Sequence, residues 1–423
     1  MTTTDHLAGL GADATIIELF VGDLALANPA PFYHHLRAIA PVHRSATGAT
    51  FLTRFDDCQR VLRDNRFGKS ERRAANGLLP DTDPAVLQFR QEMVKRRDTT
   101  GQPLSMLFLD PPDHTRQRSL VSRAFTPRRV DQLRHSIRHL ADRYVDDLVE
   151  RGGGDLLEIL AFPLPVAVIG TLVGVPPSDW PQFRTLITAA AAGLEPGASL
   201  ADLQGADAAG TEVWQYFIDL VAERRARPKD DLLSDLIAVE ESGDTLSEGE
   251  VIAVSILLFA AGFETTTNLI GNGVAALLRH PQQMQRLWHD PSLSASAVEE
   301  ILRWDSPVQL DVRIALDDTE FAGEPVSEGT AFVTLIGAAN RDPDHFSEPD
   351  TFDIARREGP ALSFAAGIHY CLGANLARAE GEEVLASLVE RCADIELNGP
   401  WQQRRRITLR GLQSLPVVVT PKG

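Results

Sequence analysis

Apolar residues at Val251, Val254, Leu257, Leu258 and Ala261 recur at the three- and four-residue spacing of one helical face. Ser247 and Glu250 stand before them as a capping box and Pro281 marks a far end, so the pattern predicts one helix of roughly 30 residues, about 45 Å long at 1.5 Å per residue. A first half so apolar has to be internal. Residues 126–302 carry a mostly helical pattern, punctuated at Gly152, Gly153 and Gly154, at Pro163 and Pro165, at Pro176-Pro177 and at Pro196-Gly197. Extended runs flank it. A hairpin is predicted over 41–44 and 50–54 with its turn near Gly48, then a helix through Val61 and Leu62 with Asp56 as its N-cap, and short strands within 312–332 and 407–420. Residues 76–112 mix Gly, Pro, Asp and Thr with short apolar patches and read as a long irregular loop with room for one helix.

Composition narrows the class. With 43% hydrophobic and 24% charged residues, the 423-residue chain is globular rather than disordered, and it is long enough to enclose a cofactor away from water. Its 59 acidic against 41 basic residues, a net charge of −18, argue against nucleic-acid binding, since a phosphate backbone rewards basic surfaces. Cys58, Cys371 and Cys392 are far apart and lack C-x-x-C spacing, so neither a disulfide framework nor a zinc ribbon is indicated and a reducing cytosol fits. The N-terminus has no basic leader, and the most apolar stretch, residues 251–263, is shorter than the roughly 18 residues a bilayer demands. The expectation is a cytoplasmic protein with no membrane span.

Two glycine-rich segments compete for attention. Gly271-Asn272-Gly273-Val274-Ala275-Ala276 matches G-x-G-x-x-A, but it falls inside the long helical pattern with no strand before it, so these read as packing glycines rather than a dinucleotide fingerprint. Phe364-Ala365-Ala366-Gly367-Ile368-His369-Tyr370-Cys371-Leu372-Gly373 leads directly into a helical pattern. A cysteine at the first turn of a helix meets unpaired N–H groups and the positive end of the dipole, both of which favour the thiolate. The glycines around it remove side chains where a flat group would approach the backbone. Cys58 and Cys392 lack such a setting and read as buried apolar thiols.

The pattern F-x-x-G-x-H-x-C-x-G resembles the haem-ligating loop of the cytochromes P450, and three further segments match that family in order. The resemblance implies a P450 fold over residues 1–423 as a single domain, with a β-rich lobe of about 1–75, 305–360 and 400–423, an α-rich lobe of about 76–304 and 361–399, and haem b between the long helix and the helix after the cysteine loop. Cys371 would be the iron ligand, with Gly373 beside it. Glu300-Ile301-Leu302-Arg303 resembles the family's E-x-x-R element, a structural ion pair completed by Arg356. Ala261-Gly262-Phe263-Glu264-Thr265-Thr266 resembles its oxygen-activation motif. There Ala261 and Gly262 would let the helix lie close to the ring, the Thr265 hydroxyl would bond back to the Ala261 carbonyl and open the helix locally, and Glu264 would supply protons. His114, Arg118, Arg313 and His369 match the cations that meet the haem propionates.

The resemblance further implies an enzyme that uses O2 to hydroxylate a lipophilic small molecule of terpenoid, steroid, polyketide or fatty-acyl type. Leu257, Ala261, Val308, Leu310 and Leu412, with the loop 76–107 and the region 186–209, would line its pocket. No flavin or nicotinamide segment is present, so NAD(P)H would act only indirectly, through ferredoxin reductase and a ferredoxin. The ferredoxin would be steered by Arg123, Arg128 and Arg129. A monomer is expected. Two alternatives remain: a peroxide-driven peroxygenase, although such members typically lose the acid and alcohol present as Glu264 and Thr265, and a P450-shaped docking module, although such modules lack the cysteine.

Overall fold

The computed structural model describes residues 3–70, 77–79, 83–241 and 246–423. Asn76 and residues 80–82 of the proposed pocket loop lie outside them. The chain divides into two compact units, one of Met1–Pro80, Val130–Pro163 and Thr265–Gly423, the other of Asp81–Arg129 and Leu164–Glu264. Helices dominate, with small sheets between them.

The first unit holds the sheets. The predicted hairpin forms as Val42–Arg44 against Thr50–Leu52, with Gly48 at φ 86° in its turn. Thr50–Leu52 then pairs in parallel with Ala331–Thr334, which pairs antiparallel with Asp311–Ala315, and Phe67–Gly68 closes the edge. Strand pleating alternates the faces of 311–315. Val312 and Ile314 join a core with Ile16, Phe51 and Leu310, which leaves Asp311 and Arg313 on the opposite face. The C-terminal segment gives a three-stranded sheet in which Pro416–Pro421 lies between Gly153–Asp155 and Cys392–Leu397.

Local sequence rules misassign one cap. The helix Phe55–Arg63 begins one residue before Asp56, and its Phe55 N–H donates to Asp342 Oδ2 at 2.8 Å, a carboxylate 287 positions away. A buried distant acceptor here replaces the local one. The stretch 76–112 is also more regular than expected: Pro84–Thr100 is a 17-residue helix capped by Asp83. Only Val86 of it is buried, so no apolar stripe announced it.

The second unit is helical. The helix Leu200–Ala226 packs on Trp180–Ala191, and Phe183, Phe217, Phe259 and Phe263 interlock, with Phe183 and Phe259 centroids 4.7 Å apart. The long helix spans Glu248–Arg279, 32 residues, as predicted. By length and composition it could cross a membrane, which corrects the count drawn from residues 251–263; the burial of Ser255, Glu264, Thr266, Thr267, Asn268 and Asn272 marks it as a core helix instead. Gly262 is occupied in packing, because a Cβ there would meet Ile169 Cγ1 at 2.6 Å. Gly271 and Gly273 pack likewise against Leu157 and Ile301, as expected of packing glycines.

The capping box forms, with Ser247 N–H donating to Glu250 Oε2 at 2.8 Å, and Glu250 has a second use. Arg116 Nη2 and Gln117 Nε2, on the helix Asp113–Val121, donate to its Oε1 at 2.5 and 3.2 Å. Burial raises the Glu250 carboxyl, but Arg116, the Ser247 N–H and Gln117 outweigh it and hold it down to about 2. A depressed carboxyl stabilises the fold fully above its ordinary value and loses that contribution as pH falls through the folded one. Glu250→Gln should therefore cost on the order of 2 kcal/mol at neutral pH. In urea unfolding its difference from wild type should vanish as pH falls from 4.5 to about 2.

Candidate active site

The cysteine loop is built from backbone up. A one-turn 3-10 segment, Gly367–His369, enters it and the helix Ala374–Arg391 leaves it, with Gly373 as N-cap. Cys371 thus precedes the helix rather than standing in its first turn; its carbonyl accepts the first helical N–H, from Ala374, at 3.4 Å. Its own N–H donates to the Phe364 carbonyl at 2.9 Å. Gly367 has φ 72°, and a Cβ there would stand 2.3 Å from the Leu62 carbonyl oxygen, so glycine is required. Cys371 is exposed, whereas Cys58 and Cys392 are 0% exposed. Burial pushes the Cys58 thiol well up and that of Cys392 up to about 11, as befits inert apolar cysteines. One sulfur of the three is presented for chemistry.

Behind the loop lies the expected ion pair. Arg303 Nε and Nη2 donate to Glu300 Oε2 and Oε1 at 2.7 and 2.8 Å, and Arg356 Nε donates to Oε2 at 3.1 Å. The link from this pair to the loop is Asn340, which sequence reasoning missed. Arg303 Nη1 donates to the Asn340 carbonyl at 3.0 Å, while the Asn340 side chain accepts from Leu362 N–H at 2.8 Å and donates to Ser363 Oγ at 3.0 Å. Phe364, the acceptor of the Cys371 N–H, comes next. Asn340 offered no spacing signal, because its partners are about 20 and 40 positions distant.

Arg313 and His369 both act on a residue that was not expected, Asp311. Asp311 lies 3.0 Å from Arg313 Nη1 and accepts from Lys69 Nζ at 2.9 Å. Lys69 follows the edge strand Phe67–Gly68, whose Gly68 pairs with Ile314 beside Arg313. Burial raises the Asp311 carboxyl, but Arg313, Lys69 and His369 together hold it below its ordinary value. Arg313 is 1% exposed, and neither of its terminal nitrogens makes a hydrogen bond to a described residue. Asp311 already supplies one anion, and the guanidinium keeps donors that a second could take. In the other unit, His114 is buried and Arg118 half-buried, one turn apart on Asp113–Val121.

On the long helix Ala261 is exposed and Leu257 and Thr265 half-buried, while Glu264 is buried, so access follows the face of 257, 261 and 265 within a core helix. The helix is continuous through 261–266, so the local opening expected at Thr265 does not break it. Of the other expected lining residues, Val308 is half-buried and bridges to Leu409, whereas Leu310 and Leu412 are buried, Leu310 within the core cluster of Ile16 and Phe51.

These residues fit an iron porphyrin. Among the described residues no three His, Cys, Asp or Glu side chains gather as a metal site. An iron that brings its own ring of donors needs one protein sulfur and cations for its carboxylates, which Cys371 and the buried, hydrogen-bond-poor Arg313 offer.

The family model for Cytochrome P450 matches residues 206–290 and 292–408. The chain is 38% identical over 405 residues to the polyketide biosynthesis cytochrome P450 PksS of Bacillus subtilis, covering 92% of this chain and 95% of the relative. It is 40% identical over 408 residues to the vitamin D(3) 25-hydroxylase of Pseudonocardia autotrophica, covering 94% and 95%. The crystal structure of P450BioI in complex with an acyl carrier protein ligated to hexadec-9Z-enoic acid superimposes with a TM-score of 0.83 at 33% identity, covering 93% of this chain and 99% of that one. Similarity of this extent, joined to the presented Cys371 and its clamp, shows that the chain belongs to the cytochrome P450 family and is a haem-thiolate monooxygenase.

Proposed function

We propose that residues 1–423 form one catalytic domain that binds haem b and inserts one oxygen atom of O2 into a neutral, lipophilic small molecule, typically at a C–H bond. The observation that carries this reading is Cys371, exposed where the other two cysteines are buried, with its N–H fixed by Phe364. The bound haem supplies the reductive activation of dioxygen. The chain supplies the rest. Cys371 Sγ binds the iron as thiolate. Arg313, His369, His114 and Arg118 are the cations this reading assigns to the propionates. Glu264 holds a proton at its carboxyl, and Thr265 Oγ passes it onward. Leu257 and Ala261 keep water out and meet the substrate, joined by Val308, Leu310 and Leu412. Glu300, Arg303 and Arg356 hold the cysteine loop.

Arg123, Arg128 and Arg129 are exposed cations on a chain of net charge −18, and they suit an acidic ferredoxin served by its reductase and NAD(P)H. The protein acts in this reading as a cytoplasmic monomer. The relatives' names mention polyketide biosynthesis, vitamin D(3) and a complex with a fatty-acylated carrier protein, compounds of apolar bulk in keeping with apolar Leu257 and Ala261. A screen for spectral displacement of the haem's water, with free terpenoids, steroids and fatty acids beside carrier-bound acyl chains, separates them.

Cys371→Ser should abolish the thiolate form of the carbon-monoxide difference spectrum and all product formation; a retained thiolate spectrum would end this reading. Thr265→Ala should lower ferredoxin-driven product formation by roughly 10- to 100-fold, with electrons diverted to peroxide, while turnover fed by peroxide itself falls far less. Assays of product and peroxide per NAD(P)H consumed read both effects. Arg128→Glu should raise KM for ferredoxin several-fold and flatten its salt dependence, read by turnover over a salt series.

A further inference from the structure

Arg378, in the second turn of Ala374–Arg391, is fixed by Glu299, to which its Nε and Nη2 donate. The same guanidinium donates from Nη1 to the Tyr370 hydroxyl at 3.2 Å, and its central carbon lies 4.5 Å from the centroid of the Phe364 ring. The Phe364 and Tyr370 rings are themselves 6.4 Å apart and inclined at 61°. Both residues adjoin the sulfur's backbone: Tyr370 precedes Cys371 in the chain, and the Phe364 carbonyl accepts the Cys371 N–H. A single cation thus touches both of these residues, one by a hydrogen bond and one by a cation–π contact. Glu299 also adjoins Glu300, so one helix, Ser294–Trp304, reaches the loop twice, through Arg303 and Asn340 to Leu362 and Ser363, and through Arg378 to Phe364 and Tyr370.

We propose that Arg378, anchored by Glu299, is a positioning residue for Cys371, holding Tyr370 and Phe364 so that the sulfur keeps its place. The inference rests on the haem-thiolate reading and adds a residue to it. Loosening the grip lets the sulfur leave the place from which it would bind the iron of a bound haem, and the thiolate-ligated form of the loaded enzyme would be lost sooner. Removing a cation near an anionic ligand also favours the ferric state. Lysine keeps the charge but neither the fork nor the flat stacking face.

The test uses the purified holoenzyme. In its reduced carbon-monoxide complex, Arg378→Gln should convert from the thiolate to the thiol form roughly tenfold faster than wild type, and the midpoint potential of the iron should move negative. Arg378→Lys should restore much of the potential and little of the conversion rate. Tyr370→Phe, milder because the ring is 41% exposed, should accelerate conversion two- to threefold and add nothing to Arg378→Gln in the double variant. Wild-type conversion rate and potential in Arg378→Gln would overturn the proposal, as would full additivity of the two changes. Should Arg378→Gln fail to retain haem, Tyr370→Phe decides, and a wild-type conversion rate there is the refuting result. A wild-type protein with no thiolate spectrum would instead refute the haem-thiolate reading on which the proposal rests.

Discussion

An exposed sulfur cannot hold itself in place, and the bond from Cys371 N–H to the Phe364 carbonyl is the contact through which the rest of the scaffold does so. A thiolate that drifts or gains a proton no longer serves as an anionic iron ligand, so the loop needs rigidity that its glycines do not supply. Rigidity comes from outside. Gly367 sits against the Leu62 carbonyl at the end of the helix Phe55–Arg63, whose first N–H is in turn fixed by Asp342. Asn340 pins Leu362 and Ser363, and Ser363 Oγ donates to the Leu302 carbonyl at 2.7 Å. The loop is thus referred to several elements, each with its own core.

The Glu300–Arg303–Arg356 cluster is the costly part of this arrangement. Taking two or three charges out of water is worth nothing by itself, since desolvation can exceed the Coulombic gain. Here the remaining donors and acceptors are spent on backbone. Arg303 reaches the carbonyls of Asn340, Pro349 and Thr351, Arg356 those of Ser347, Glu348 and Thr351, and the Asp353 N–H donates to Glu300 Oε1 at 2.9 Å. An irregular segment, 347–356, has few backbone partners of its own, and two guanidinium groups satisfy its carbonyls. The cluster converts that segment into a fixed support, which an apolar core of equal volume could not do.

What sequence made legible was whatever is local. The helix Glu248–Arg279, its capping box, the Val42–Leu52 hairpin and the E-x-x-R spacing rest on contacts within a few residues, and periodicity reports these. The cysteine motif was legible only as a resemblance. The residues that complete the site were not legible: Asn340, Lys69, Asp311 and Arg378 act through partners brought near by sheet register or helix packing. Asp56 failed as a cap for the same reason, because Asp342 arrives from elsewhere in the fold. Pro84–Thr100 was allowed for as one helix within 76–112 but not located, since with Val86 alone buried its sequence has no face to display.

That weak stripe has a physical consequence for specificity. Pro84–Thr100 is held by a small cluster, Val86 and Phe89 against Ala198, Leu200 and Leu203, with an ion pair from Arg96 to Asp207 and a 3.3 Å bond from Arg90 to the Glu195 carbonyl. Exposed ion pairs contribute little, and a cluster of that size buries little area. Segments so held open at low cost, whereas the segment around Cys371 opens only against a network of charge-assisted bonds. Stability is therefore concentrated where the metal chemistry needs one geometry, and withheld from a segment that the family resemblance assigns to substrate contact.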